Sequence, residues 1–264
     1  MISILMAAYN AELTIKEAID SVIAQTYLDW ELIIINDCSK DKTKEIADSY
    51  ALQYPTKIKV INNSQNYGVK MSRHIGLVES QGDYIAILDS DDKWTDDKLE
   101  KQIAMFSRYQ DVSIVFTGSG FMDETGKKMS YILHAPETIS YKELLNQNLI
   151  SDSSAVVRKD IFKKAEDKIV AGNAKNFHED YAIWLTILKN GGKVYGIDEP
   201  LLIYRLSSNS KSGNKVKSAI MTWNTYRAVG LSLPESIRHI IKYAKNGARK
   251  YKGIKDGRAG NGRL

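Results

Sequence analysis

The chain reads as an α/β fold with a mainly parallel central sheet and helices at its C-terminal end. Three observations predict it. Four strand–helix units fit into about the first 95 residues. Their strands are short, continuous apolar runs, the pattern of strands buried on both faces. The segments between them repeat apolar residues at helical spacing. With 264 residues, 43% apolar and 26% charged, the chain has material for one large core plus an appendage.

Met1 to Ala8 is the first apolar run. It lacks a basic leader and a small-residue cleavage pattern, so it reads as a strand and not as a signal peptide. Glu12 to Gln25 follows, with Ile15, Ala18, Ile19, Val22 and Ile23 on one helical face. The second unit is Glu31 to Ile35, a turn over Asp37 to Lys40, and a helix from Asp41 to Gln53 that closes near Pro55. The third is Ile58 to Ile61, a loop over Asn62 to Gly68, and a helix from Val69 to Glu79. Gly82-Asp83 then turns the chain into a fourth strand, Tyr84 to Leu88. Ligands of such sheets bind beyond the carboxyl ends of the strands, which gathers Tyr9-Asn10, Asp37-Cys38-Ser39, Asn66 to Gly68 and Asp89 to Asp92 in one place.

The rest is less regular. Val112 to Thr117 reads as a strand, and Gly118 to Leu133, with its turn at Asp123 to Gly126, as a hairpin. Ser154 to Val157 is a short strand and Asp160 to Lys164 a short helix. A helix from His178 to Lys189 ends at Gly191-Gly192, and strands follow near Val194 to Ile197 and Leu201 to Tyr204. Beyond Arg205 the chain is helical and basic, over Lys215 to Gly230 and Pro234 to Tyr251. The Gly-rich, charged stretch from Gly253 to Leu264 is expected to be disordered.

Charge is unevenly distributed. The net charge is +5, yet Arg205 to Leu264 holds 14 Lys/Arg against Glu235 and Asp256, while the first 204 residues hold 23 basic and 30 acidic side chains. An acidic body with a basic tail favours anionic partners for the tail, phospholipid surfaces or nucleic acid. The single cysteine, Cys38, makes no intramolecular disulfide, so a cytoplasmic location is expected. No segment reaches the roughly 18–20 continuous apolar residues that span a bilayer.

The chemistry points to Asp89-Ser90-Asp91-Asp92. Three carboxylates directly after an apolar strand repel one another unless a cation offsets them. Asp92 alone would read as a cap for the next helix, but the cluster suits Mn²⁺ or Mg²⁺, which take one or two carboxylates plus phosphate oxygens and water.

Four motifs now stand in order: Met6-Ala7-Ala8-Tyr9-Asn10; Trp30 to Ser39; Asn66-Tyr67-Gly68 with Arg73; and Gly82-Asp83-Tyr84-Ile85 to Asp92. Together they resemble the family 2 glycosyltransferases, inverting enzymes of the Rossmann-like GT-A fold, over residues 1–205. The resemblance implies a catalytic domain at 1–205, divided into a nucleotide-sugar half (1–92) and an acceptor half (93–205), with a basic helical extension at 206–252. It places Ala8, Tyr9, Asn10, Asp37, Arg73, Asp89, Ser90 and Asp91 at the donor. In this reading Asp37 meets the base, Arg73 supports the same pocket, Asp89 holds the ribose and Asp91 the metal. Asp89 is a second candidate metal ligand, and Asp92 a supporting partner.

His178-Glu179-Asp180-Tyr181 resembles the family's acidic pair at a helix start. It implies that Asp180 is the general base for the acceptor hydroxyl and that Glu179 holds the acceptor or orients the base. Trp184, four residues on, lies on the same helical face; it is a candidate acceptor contact, with plain core, the commoner role of such a residue, as the alternative. Acidic residues in a first helical turn also simply complement the helix dipole. Arg205, after the last strand, is a candidate for the donor phosphates, since its fork suits them; a structural ion pair is the alternative. His74 and His134 read as packing or surface residues.

The sequence departs from the family pattern at Ala7 (usually proline), at Asn36-Asp37-Cys38-Ser39 (usually Asp-Asp-Gly-Ser) and at Arg73-His74 (often Arg-Asn). Ser207 and Ser208 stand where a histidine often follows. None of these changes removes a carboxylate required for chemistry. The donor is expected to be a nucleotide-sugar, most simply a UDP-sugar. The acceptor is expected to be a saccharide on a polyprenyl-diphosphate lipid, as in O-antigen and capsule assembly at the inner face of the cytoplasmic membrane.

Ser236 to Tyr251 places Ile237, Ile240, Ile241 and Ala244 on one face, with Arg238, Lys242, Lys245, Arg249 and Lys250 mostly elsewhere. That suits either a helix on an anionic membrane or one packed on the domain with a solvated basic face. A nucleic-acid-binding module is disfavoured despite a pI near 9.0, because the basic residues are confined to the tail and carry no recognised motif. A nucleotidyltransferase would need a Gly-rich, Lys- or Arg-bearing phosphate loop after the first strand, and Ala7-Ala8-Tyr9-Asn10-Ala11 is not one.

Overall fold

A computed structural model describes residues 1–170, 176–206 and 215–256. In chain order the elements are β1 (Ile2–Ala8), α1 (Ile15–Ile23), β2 (Trp30–Asn36), α2 (Thr43–Gln53), β3 (Ile58–Asn62), α3 (Val69–Glu79) and β4 (Tyr84–Ile87). Then come β5 (Lys93–Trp94), α4 (Lys98–Arg108), β6 (Val112–Met122), β7 (Lys128–Leu133), α5 (Tyr141–Asn146), a 3₁₀ turn at Asp152–Ser154 and β8 (Val156–Arg158). The last are α6 (Lys159–Val170), α7 (Glu179–Lys189), β9 (Lys193–Arg205), α8 (Lys215–Ala228) and α9 (Leu233–Asp256).

Among the described residues the strands form one sheet in the order β3-β2-β1-β4-β8-β6-β9-β5, with β7 paired to β6. The first four are parallel, in registers such as Leu5↔Ile33, Leu5↔Ile87 and Ile34↔Val60. Beyond β4 the sheet is mixed, because β8 runs antiparallel to both of its neighbours.

The apolar strands are continuous because both faces are covered. Ile2, Ile4, Met6, Leu32, Ile34, Ala86 and Leu88 pack with Ile15, Ile19 and Val22 of α1 and with Leu99 and Phe106 of α4. The alternate residues Leu5, Ile33, Ile35, Ile85 and Ile87 pack with Leu77 of α3, Phe162 of α6 and Tyr181 and Trp184 of α7. Each fully buried aliphatic side chain contributes about 1.5–3 kcal/mol. Helix α3 lies close to the sheet at Gly76, where a Cβ would come within 2.8 Å of Ile35 Cδ1. That approach sets the depth of Arg73, one turn earlier.

Several elements differ from expectation. The two strands expected near 194–204 are one, because a register shift opposite Gly118 absorbs Asp198-Glu199-Pro200 as a bulge. Helix α6 runs on to Val170. Two helices lie outside the ranges read from the sequence, α4 and the short α5. The Ser140/Glu143 capping box of α5 is nevertheless a signature legible in the sequence. Helix α9 continues through Asp256, past the start of the stretch expected to be disordered; residues 257–264, like Ser207 and Ser208, lie outside the described residues.

Helix α9 divides its predicted apolar face. Ser236 and His239 are buried, and Ile240 and Tyr243 pack on the core. Leu233, Ile237 and Ile241 are 58%, 52% and 52% exposed. Among the described residues no helix is long and apolar enough to cross a membrane.

Candidate active site

The loops at the carboxyl ends of β1 to β4 meet as the strand pattern requires. Asp37, at the end of β2, donates its backbone N–H to the Ala8 carbonyl at 2.8 Å. The Tyr9-Asn10 turn is stapled to the next loop: Asn10 accepts from the Lys40 N–H at 2.8 Å, and its own N–H donates to Ser39 Oγ at 3.1 Å. Asn10 and Cys38 hold left-handed backbone, φ 50° and 62°. Asparagine tolerates that conformation and other L residues pay a steric penalty for it. Tyr9 and Tyr67 leave 48% and 46% of their surfaces exposed at this end of the sheet.

Asp37 anchors the third loop. Its carboxylate accepts from Asn63 Nδ2 at 2.8 Å, Tyr67 N–H at 2.9 Å and Gly68 N–H at 2.8 Å. Burial alone would raise its pKa, but these donors and Ser72 outweigh burial and hold it below the usual aspartate value. Asn63, not singled out in the sequence, therefore joins Tyr67 of the Asn66-Tyr67-Gly68 motif in the same pocket.

Asp89, Asp91 and Asp92 follow β4 and place carboxylate oxygens within 4.8 Å of one another. Burial and Asp89 push Asp91 up to about 6. Burial, Asp89 and Asp91 raise the fully buried Asp92 well above the usual range. Asp92 Oδ1 accepts the Arg205 N–H at 2.9 Å, whereas its buried Oδ2 has no hydrogen-bond partner among the described residues. Clustered carboxylates that resist ionising together, one with an orphaned oxygen, fit a hard divalent cation.

Arg73, one turn into α3, joins the two halves of the site. Its Nη2 donates to Asp89 Oδ1 and its Nη1 meets Asp152 Oδ2, each at 2.6 Å. Burial disfavours its charge, but Asp152, Asp89, Asp180 and Glu179 outweigh burial and raise its pKa above the ordinary value. Asp152, on the 3₁₀ turn before β8, has no motif to mark it. The fold brings it in because β8 pairs with β4 and because Asp89 N–H donates to Ser153 Oγ at 3.1 Å.

Glu179 and Asp180 open α7 and lie within electrostatic reach of Arg73. Burial pushes Glu179 up to about 7, with Arg73 and Lys70 pulling the other way. Its Oε2 has no hydrogen-bond partner among the described residues. Next to Arg73 on α3, His74 meets the buried Glu166 at 3.1 Å, a packing pair as expected; His134 bonds Asp198 at 2.9 Å.

Two expected contacts are corrected. Trp184 is 0% exposed and lies edge-on to Phe162, so it is core behind the helix start and presents no face to an acceptor. Arg205 is 6% exposed, with Nε donating to the Asp91 carbonyl at 2.9 Å, Nη1 to the Glu124 carbonyl at 3.2 Å and Nη2 to Glu17 at 3.2 Å. Protein groups take up its fork, which holds the acidic loop in place and is not presented to a phosphate.

The chain is similar to known proteins. A family model described as Glycosyl transferase family 2 matches residues 3–165. The chain is 35% identical over 251 residues to TuaG of Bacillus subtilis, a glycosyltransferase assigned to teichuronic acid biosynthesis, with 95% of this chain and 97% of that one covered. It is 31% identical over 257 residues to WfgD of Escherichia coli, named a UDP-Glc:α-D-GlcNAc-diphosphoundecaprenol β-1,3-glucosyltransferase, with 95% of each chain covered. The structure of S. aureus TarS 1–349 in complex with UDP-GlcNAc matches with a TM-score of 0.71 at 16% identity, over 96% of this chain and 74% of that one. At that identity the likeness is one of fold, the GT-A fold. The chain belongs to glycosyl transferase family 2.

Proposed function

We propose that the protein moves a hexose or N-acetylhexosamine from a UDP-sugar to a hydroxyl of a polyprenyl-diphosphate-linked saccharide, inverting the anomeric centre, in bacterial surface-polysaccharide assembly. The observation that carries this reading is the convergence of Asp89, Asp91 and Asp92 within 4.8 Å beside the pocket built on Asp37. The relatives named for lipid-linked and polysaccharide chemistry support the acceptor class.

In this reading residues 1–92 hold the donor and residues 93–205 the acceptor. Tyr9, Asn10 and Asp37 frame the base, Ala8 and Ser90 line its approach, and Asp89 with Arg73 borders the ribose. Asp91 and Asp89 hold Mn²⁺ or Mg²⁺, which when bound offsets the charge of the leaving diphosphate. Asp180 takes the proton of the acceptor hydroxyl as its oxygen bonds to the anomeric carbon and the bond to the diphosphate oxygen breaks. Glu179, beside it, orients the base or bonds the acceptor. Arg205 acts as a positioning residue for the acidic loop. The 206–252 extension brings the enzyme to the cytoplasmic membrane face, where such an acceptor resides.

The test is nucleotide release from a panel of UDP-, GDP- and dTDP-sugars against synthetic diphospholipid-sugar acceptors, with Mn²⁺, Mg²⁺ or chelator. Metal-dependent release of UDP on addition of acceptor is the expected result. Release that ignores chelation, or occurs with no UDP-sugar, overturns the reading.

A further inference from the structure

The Asp152 carboxylate sits opposite Asp89 on the same guanidinium. Arg73 contacts Asp89 Oδ1 through Nη2 and Asp152 Oδ2 through Nη1, both at 2.6 Å. The side chains of Arg73 and Asp152 are 14% and 9% exposed, and that of Asp89 35%. Asp152 Oδ1 is buried without a hydrogen-bond partner among the described residues, and Arg73 is the cation that offsets its charge. The turn that carries it is fastened to the acidic loop: Ser153 Oγ accepts from the Asp89 N–H at 3.1 Å and the Ser153 carbonyl from Trp94 Nε1 at 2.7 Å. Asp152 thus reaches the acidic cluster through one buried cation, held at fixed geometry.

We propose that Asp152 is a positioning residue that sets the divalent-cation affinity of the Asp89-Asp91-Asp92 cluster by dividing the charge of Arg73. A guanidinium shared between two carboxylates neutralises neither fully, so Asp89 keeps negative character to offer a cation. With Asp152 neutral, the whole cation falls on Asp89, which leaves that carboxylate less negative character to offer a dication. A partner one step removed from a metal ligand typically alters metal affinity by about 10–100-fold. The inference rests on the reading of the acidic cluster as the metal site, and it adds a residue that the sequence motifs do not contain.

Binding of Mn²⁺ to the full chain, with UDP present and no acceptor, is followed by the loss of free Mn²⁺ signal in electron paramagnetic resonance. Asp152→Asn is expected to weaken binding about tenfold and to leave kcat at saturating Mn²⁺ within about threefold, while Asp152→Glu recovers most of the affinity. Arg73→Gln supplies the cycle: if Asp152 acts through Arg73, adding Asp152→Asn to Arg73→Gln changes Mn²⁺ affinity by less than about twofold. The double variant removes both buried charges together, so it reports even where Asp152→Asn alone does not fold. Unchanged Mn²⁺ affinity in Asp152→Asn, or a tenfold loss that persists in the Arg73→Gln background, overturns the proposal. A fall in kcat or a rise in acceptor KM at unchanged Mn²⁺ affinity also overturns it and makes Asp152 an acceptor contact. Wild-type protein that binds no Mn²⁺ removes the metal reading itself, a failure distinct from that of Asp152.

Discussion

Arg205 and Asp92, 113 residues apart, meet at the centre of the acidic loop: the Arg205 N–H donates to Asp92 Oδ1 at 2.9 Å while the same residue's Nε holds the Asp91 carbonyl at 2.9 Å. The end of β9 thereby fastens the loop between β4 and β5, and the short β5–β9 pairing, Trp94↔Leu202, aligns the two. A buried arginine with every nitrogen engaged rigidifies its acceptors, because leaving any of them unpaired costs more than the bond contributes.

Arg205→Ala is therefore expected to destabilise the fold by about 2 kcal/mol, from lost charge-assisted bonds and an orphaned Asp91 carbonyl. Arg205→Lys recovers little of this, since an ammonium does not reproduce the fork. Glu17→Gln, at the half-exposed end of the network, costs under about 1 kcal/mol. Urea denaturation measures all three; a loss below about 0.5 kcal/mol for Arg205→Ala contradicts the clamp.

Asp180→Asn and Asp91→Asn are expected to separate binding from chemistry. Loss of a general base lowers turnover by about 10²–10⁴-fold, so Asp180→Asn retains UDP and Mn²⁺ binding but not transfer. Asp91→Asn loses Mn²⁺ binding as well. Isothermal titration with UDP and Mn²⁺, beside the transfer assay, distinguishes them, and full transfer by either variant refutes its assignment.

Glu179 makes stability fall as pH rises. Its folded-state pKa of about 7 lies above the ordinary glutamate value of 4.5, so the native protein binds more protons than the unfolded chain between these values. The stabilisation is complete below about 4.5 and is lost as pH passes about 7. A shift of this size amounts to a few kcal/mol, on the order of 1.4 per pH unit. Asp91, pushed up to about 6, acts in the same direction when no cation is bound. Glu179→Gln should flatten the melting temperature between pH 4.5 and 7.5 in chelator. A slope identical to wild type contradicts the burial of an ionisable Glu179.

Helix α9 is best probed by point substitution. Deleting it would strip Ile240 and Tyr243 from the core and confound binding with unfolding. Its exposed Leu233, Ile237 and Ile241 lie beside Arg238 and Lys242, which share the surroundings of His239 with Lys142 of α5. An apolar stripe flanked by cations suits an anionic bilayer. Ile237→Glu with Ile241→Glu is expected to reduce flotation with phosphatidylglycerol vesicles at least fivefold, without lowering the melting temperature by more than a few degrees. Wild-type protein that stays with the soluble fraction excludes the membrane contact.

Much of the fold and part of the site follow from local pattern. The apolar runs of β1 to β4 are legible because strands buried on both faces need apolar residues at every position. Helix α3 is legible from Gly68, and the end of α7 from the Gly191-Gly192 pair. The acidic cluster and the Glu179-Asp180 pair are visible because they sit where elements begin or end, and their chemistry depends on few neighbours in sequence.

What the sequence by itself determined is therefore the list of chemical groups and the end of the sheet to which they are delivered. Tertiary structure alone decided which of them face each other. Arg205 turns to the protein because Glu17, Asp91 and Glu124 surround it. Trp184 is core because α7 is buried along Tyr181 to Leu188. Asp152 enters the site through the pairing of β8 with β4, and α9 divides its apolar face because α5 and α8 cover one side. Burial and ion pairing are relations between residues far apart in the chain, and spacing along one helix or strand carries no information about the element packed against it.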